Sequence, residues 1–324
     1  MAQVDKTVVV FGCLATVETS YAVGTDTVVA ATHGVQLADL PSFDPSFSYD
    51  GVRPVSPGNY AQGKRAAPTG KMLSTSVRME GKGPGGTTYS ASVVPPNIHD
   101  FILASGYDGA VSSGTWTYTP TPGPTGFDSL VLELYGRGEK WPATGCYAAM
   151  KITGENEGPA IFEFDVRGIL GTRADSAVPS ITYDTTVDPP TCDNITLTIN
   201  SVADLVCRSF EFEDGASIDK PWVDQNAAGH GGFVRGRRSP VLRVTVENPD
   251  SSELDLVTLE EAGTAMAASI VVGATARNKF TLTLAQCVMR FSLNDEDPAS
   301  LVDIELFPHT SSPILNDDIS LVFD

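Results

Sequence analysis

The sequence holds no C-x-x-C pair, no H-E-x-x-H and no G-x-x-x-x-G-K-[ST] loop. The first two absences remove the usual spacings of a zinc site. The third removes a nucleoside triphosphate cradle. The five cysteines (Cys13, Cys146, Cys192, Cys207, Cys287) are odd in number and far apart. That argues against a disulfide framework and suits buried, reduced thiols. His33, His99, His230 and His309 stand in unrelated contexts, none with a second ligand at metal spacing. No stretch reaches the ~20 apolar residues of a membrane helix. The start, "MAQVDKTVVVFGCLATVETS", lacks the basic n-region of a signal peptide. Without such a signal the Asn194-Ile195-Thr196 sequon carries no weight.

Cations are also scarce: 21 Lys/Arg face 40 Asp/Glu in 324 residues, a net charge of −19. The imbalance is uneven, 12 against 18 over residues 1–185 and 9 against 22 over residues 186–324. Such a surface repels nucleic acid phosphates. It argues against a DNA-binding protein, though not against a surface past which DNA slides.

Two motif-like stretches fall short of chemistry. "GKGPGG" at 81–86 follows a strand but leads into "TTYSASVVPP", which is β-like, so the helix that a dinucleotide fingerprint needs is missing. "GENEG" and "NDEDP" gather carboxylates without the alternating oxygens of a calcium loop. We expect no catalysis, metal or cofactor.

Strands and turns dominate what is present. Over residues 71–80, Leu73, Thr75, Val77 and Met79 alternate with Ser74, Ser76, Arg78 and Glu80. In "VLRVTVE", Leu242, Val244 and Val246 alternate with Arg243, Thr245 and Glu247. Each strand precedes a short helix. "NIHDFILASG" predicts one capped by Asn97 and closed by Gly106, and "SSELDLVTLEEAG" one capped by Ser252 and closed by Gly263. Then comes a hairpin around an acidic turn. In the first, Phe162, Phe164 and Val166 oppose Glu163, Asp165 and Arg167 beyond Glu155 and Glu157; in the second, Val302, Ile304 and Leu306 oppose Asp303 and Glu305 beyond Asp295, Glu296 and Asp297.

The same order of elements therefore occurs twice, with little identity of letters. The polar, proline-bearing stretch 171–194 predicts the join, giving domains 1–180 and 181–324. Residues 38–70 read as an irregular, extended arm. Each half also opens on cations: Lys64, Arg65 and Lys71 in the first, Arg235, Arg237 and Arg238 in the second. Phosphate binding is one reading of the arginines. Pairing with an acidic neighbouring subunit is the favoured one in so acidic a chain. Basic entrances and acidic hairpin turns, each repeated, suit head-to-tail assembly of like units.

The ordered set "ATVETSYAVGTD", "GKRAAPTGKMLSTSVRMEGKG", "GTWTYTPTP", "FDSLVLELYGRGEKWPATGCYAAMKITGENEGPAIFEFDVRGIL" and "LAQCVMRFSLNDEDPASLVDIELF" resembles the tail tube (major tail) proteins of long-tailed bacteriophages, two-tube-domain type. The resemblance covers nearly the whole chain. It departs from the family pattern at Ala22 and Val23, which separate Tyr21 from Gly24 in the early E-T-x-Y-G-T-type segment. It implies a mainly β fold, two tandem β-sandwich or barrel domains each with a short flanking helix. One sheet of each joins its neighbours into an inner barrel.

The implied function is structural: rings, typically homotrimers that mimic a hexamer, stack into a conduit for DNA ejection. Partners would be further copies, a tape-measure protein and the tail terminator and tip proteins. The chain would be made in the host cytoplasm and end in the virion, without inserting into a membrane. As residues alone, Ser74, Ser76, Arg78, Glu80, Glu163, Asp165, Arg167, Arg243, Thr245, Glu247, Asp303 and Glu305 read equally as solvent-facing or as a channel wall; the resemblance favours the wall. The rival readings are an acidic all-β virion surface or receptor-binding module, and a β-rich hydrolase for which no convergent acid/base or metal site is found.

Overall fold

A computed structural model describes residues 12–19, 21, 28–29, 33–42, 44–52, 65–85, 87–95, 98–122, 126–181, 183, 187–222, 232–294, 300–311 and 317–324. The strands are β1 (Gly12–Val17), β2 (Gly34–Val35), β3 (Asp44–Val52), β4 (Arg65–Glu80), β5 (Tyr107–Ser112), β6 (Thr115–Pro120), β7 (Leu130–Gly136), β8 (Glu139–Glu155), β9 (Ile161–Leu170) and β10 (Ala174–Asp175). They continue as β11 (Ile195–Ile199), β12 (Val202–Leu205), β13 (Cys207–Glu213), β14 (Ile218–Trp222), β15 (Gly232–Arg235), β16 (Val241–Glu247), β17 (Met266–Val272), β18 (Phe280–Asn294), β19 (Leu301–Pro308) and β20 (Ile319–Phe323). Helix α1 (His99–Ala104) precedes β5, and α2 (Leu256–Ala262) precedes β17. The protein is mainly β, and all strands but β14 and β15 belong to one hydrogen-bonded network of 18.

The pairings repeat strand for strand. β1–β7–β8–β9–β4–β3 are successive antiparallel neighbours. So are β11–β17–β18–β19–β16–β13. The two series are also stitched together. β13 pairs with the end of β8, and β20 of the second series pairs with β6 of the first. The front layer is thus one continuous sheet of eight strands, β3–β4–β9–β8–β13–β16–β19–β18.

Period-two alternation explains why these segments are strands. Val77, Met79, Phe162, Phe164, Ile152, Phe212, Leu242, Val302 and Ile304 turn inward and are almost completely buried. The back strands meet them with Leu132, Ile270, Leu282, Leu321 and Phe323. All lie in one hydrophobic cluster spanning both series.

Strands β8 and β18 serve both layers, pairing with β7 and β17 early and with β9 and β19 late. In β8 the change of layer falls at an irregularity of register between Thr144 and Tyr147. Gly145 there has φ +60°, a conformation that a side chain disfavours. Its freed N–H donates to the carboxylate of buried Glu18 at 3.1 Å, and Ser129 Oγ donates to the same group.

Three expectations change. Residues 44–52 are a strand paired with β4, not part of an irregular arm; residues 53–64 lie outside the described ones. The cap of α2 is Asp255, not Ser252: its carboxylate accepts from Thr258 N–H at 3.1 Å, three residues on, as an N-cap must. At α1 the cap position is Ile98, which makes no side-chain cap bond, and Asn97 lies outside the described residues. Gly106 and Gly263 do close the helices in the left-handed region, with φ of +74° and +56°.

Helix α1 carries a titration test. Burial, helped by the nearby Asp128 carboxylate, raises the Asp100 carboxyl to about 6. The fold then holds a proton that the unfolded chain releases near pH 4. Stability falls as pH climbs from about 4 to about 6, and the full cost stands above that. Asp100→Asn should therefore add up to roughly 2–3 kcal/mol at pH 7 and nothing near pH 4, read by denaturant unfolding at both values. His99, held neutral by burial at about 4 and bonded through Nδ1 to Tyr118 Oη at 2.6 Å, has the opposite slope. Its stabilisation is present above the unfolded value near 6.5 and is lost as pH falls toward 4.

Candidate functional site

The outward face of the front sheet gathers polar residues that are far apart in sequence. β4 contributes Ser74, Ser76, Arg78 and Glu80, standing opposite Arg167, Asp165, Glu163 and Ile161 of β9. β16 contributes Arg243, Thr245 and Glu247, opposite Glu305, Asp303 and Leu301 of β19. Because opposite residues in an antiparallel pair share a face, all twelve residues expected to act together lie on one surface.

The link between the two groups was not anticipated. Lys151 and Thr153 of β8 stand opposite Glu213 and Glu211 of β13, and Glu211 stands opposite Arg243. Arg290 and Ser292 of β18 extend the face beyond Glu305 and Asp303. The alternation in "CRSFEFE" marks Ser209, Glu211 and Glu213 as one polar row. That signal was available in the sequence; the pairing with β8 was not.

The charges form a ladder across the strands. Arg78 Nε lies 3.6 Å from Glu163 Oε2. Lys151 Nζ lies 2.6 Å from Glu211 Oε2 and 3.5 Å from Glu213 Oε1. Arg243 reaches three carboxylates, Glu211 and Glu213 at 2.9 Å and Glu305 at 3.0 Å. Ser76 Oγ donates to Glu163 at 3.0 Å, and Thr245 Oγ1 to Asp303 at 2.7 Å. The Lys151 ammonium holds the Glu211 carboxyl below its ordinary value, and Glu211 in turn raises Lys151. Bonds to Glu213, Glu305 and Glu211 raise Arg243. Burial raises the Asp165 carboxyl, with Glu163 adding to the effect. The cations of the ladder are thus neutralised within the sheet, while Glu80, Asp165 and Glu247 leave a surplus of carboxylates.

Strands β4, β8, β16 and β18 all run the same way, each separated from the next by one antiparallel strand. Both hairpin turns therefore lie at one end of the sheet and both strand openings at the other. Glu155 and Glu157 are exposed at the first turn. Asp295, Glu296 and Asp297 at the second fall outside the described residues. At the opposite end Arg65 begins β4, Arg237 is exposed, and Lys64 is outside the described residues.

Arg235 and Arg238 differ from expectation: their guanidinium groups are held inside the chain. Arg235 Nη2 lies 2.6 Å from Asp214, with side-chain exposures of 3% and 0%. Arg238 Nη2 donates to both carboxylate oxygens of Asp318, at 2.6 and 2.8 Å. Tyr107 Oη also donates to Asp214, at 2.8 Å. The hairpin β14–β15 crosses the same end of the face. Ile218 and Phe233 pack with Tyr147 over Met72 and Ile169, and Arg167 Nη1 donates to Ile218 O at 3.0 Å.

Among the described residues no group of three or more His, Cys, Asp or Glu is placed to hold a metal ion, and no helix is long and apolar enough to cross a membrane. No curated protein matches the chain. The family model described as "Phage tail tube protein" matches residues 14–316. A charged face assembled from a duplicated series of strands thus comes with a match over nearly the whole length, and the chain belongs to the phage tail tube protein family.

Proposed function

We propose that this structural tail protein closes into rings that stack into a hollow conduit, through which DNA leaves the virion for the host. The charged face lines the bore. Each chain supplies two tube modules, joined near residue 180, so that a homotrimer acts as a pseudo-hexamer. With eight front strands per chain, three chains give about 24 strands. At ~4.8 Å spacing and ~40° tilt these make a backbone cylinder roughly 48 Å across.

The continuous eight-stranded face carries this reading. Its Arg78, Lys151 and Arg243 are matched by carboxylates and its surplus charge is negative, so phosphates find little to hold them. The opposed ends support polar stacking, with Arg237 and Arg65 meeting the acidic turns of the next ring, Glu155, Glu157 and the 295–297 segment. Arg235 and Arg238 take no part in that contact. The tape-measure protein occupies the bore during assembly, and the terminator and tip proteins close the ends. No catalysis, cofactor or membrane insertion is involved.

Negative-stain microscopy of the purified protein at high concentration should show rings or tubes with a central hole. Compact, discrete particles at every concentration would overturn the proposal.

A further inference from the structure

The strand order repeats, but one element of it is aimed differently in the two series. The last pair before the first hairpin turn is Thr153 with Ile161, and before the second it is Asn294 with Leu301. Matching these turns carries Ser74 of β4 onto Val241 of β16, and Asp44 of β3 onto Glu213 of β13. The same match sets the pair Tyr49–Pro68 on the pair Ile218–Arg235. Hairpin β14–β15 is therefore the second copy of the far part of β3–β4. In the first series β4 runs unbroken from Arg65 to Glu80, so its hairpin continues the front sheet past Met72, the last residue paired with β9. In the second series the strands break between Glu213 and Ile218 and between Arg235 and Val241, and the hairpin is a separate two-stranded sheet.

That second hairpin is folded back over the charged face. Its Ile218 and Phe233 pack with Tyr147, Met72, Ala149 and Ile169. By the alternation of their strands, these last four point to the same side as Ser74, Lys151 and Arg167. Tyr21, stacked on Tyr147 at 5.4 Å between ring centroids, accepts from Phe233 N–H at 2.6 Å. Arg167 Nη1 donates to Ile218 O at 3.0 Å. At the base Arg235 reaches buried Asp214 at 2.6 Å and Ala148 O at 3.1 Å. The first hairpin cannot form this anchor. The positions matching Asp214 and Arg235 are Pro45 and Pro68, and neither carries a charge.

We infer that hairpin β14–β15 keeps this position in the assembled tube and forms, with its copies, a collar inside the bore. This rests on the tube reading and shapes its channel. A ring of three chains then has six like stretches of wall but only three inward hairpins, because β3–β4 stays in the plane of the sheet. A second sheet packs ~10 Å from the one it covers. On a cylinder roughly 48 Å across, three hairpins leave an opening roughly 28 Å across between backbones. Side chains narrow it further, to near the width of a DNA duplex. The passage is three-fold at this level and wider elsewhere, and the hairpins centre whatever moves through it. Phe233 and Arg235 are turned into the chain, so Val234 between them, 49% exposed and opposite Asp219, faces the axis.

Thiol labelling tests the collar. Val234→Cys changes an exposed position, and the five native cysteines are buried. In dispersed protein the new thiol should react with a small maleimide and with one carrying a large polyethylene glycol chain. In long tubes it should keep its reaction with the small reagent, which diffuses along the bore, and lose it with the large one, which enters only at the ends. Reaction with both reagents in tubes would put the hairpin on the outer surface, and reaction with neither would put it in a contact between copies. Either result overturns the collar and leaves the tube intact. Cryo-electron microscopy of wild-type tubes should show one inward ridge per chain at a single level of each ring, and a smooth wall overturns the collar as well. Wild-type protein that forms no ring or tube overturns the tube reading itself.

Discussion

Asp214→Ala is expected to destabilise the protein by about 3–5 kcal/mol. The carboxylate has no exposed side-chain surface and accepts from Tyr107 Oη and Arg235 Nη2, with Arg238 Nη1 3.7 Å away. Burial pushes its carboxyl up while the two arginines oppose the rise, and burial likewise lowers Arg235. Both directions say that desolvation is large here. Removing one partner strands a guanidinium that is 3% exposed and cannot reach water. Asp318→Ala should cost less, because its partner Arg238 is 19% exposed and can be rehydrated. Denaturant unfolding followed by tryptophan fluorescence at low protein concentration reads both. A loss below about 1 kcal/mol for Asp214→Ala would show that the network contributes little.

Phe162→Ala should cost a similar amount, about 3–5 kcal/mol, and shift a single unfolding transition. Phe162 is 0% exposed. Its ring centroid lies 6.5 Å from that of Phe164 in its own strand, but 5.3 Å from Phe280 of β18 and 6.2 Å from Phe323 of β20. The residue belongs to the first series of strands, and much of what it packs against belongs to the second. The cavity is therefore felt by both, and one cooperative transition should move as a whole. Two transitions, only one of them shifted, would mean that the two series unfold independently despite the shared core.

The sequence made the local rules legible and the long-range ones much less so. Alternation at 71–80 and in "VLRVTVE" identified the strands and the correct inward residues, because a half-buried strand imposes a period of two. It also put the twelve polar residues on outward faces. It could not reveal that β13 would bridge β8 and β16, since nothing in "CRSFEFE" encodes a partner some 60 residues away. The Arg235/Arg238 cluster misled for a related reason. Charge alone suggests an exposed contact, and only the fold brings Asp214 and Asp318 close enough to bury it. At α2 the sequence suggests Ser252 as the cap, whereas in the fold Asp255 takes that role, its carboxylate accepting from Thr258 N–H.

Strands β8 and β18 each begin in the back layer and finish in the front one. Seventeen residues of β8 span roughly 55 Å if fully extended. A continuous backbone of that length cannot let one layer slide over the other without breaking ladder hydrogen bonds. Slip between layers is what makes a laminate limp, as a stack of loose cards bends far more easily than the same cards glued. With two such through-going strands per chain, the layers flex as one beam, and resistance to bending grows steeply with its full thickness.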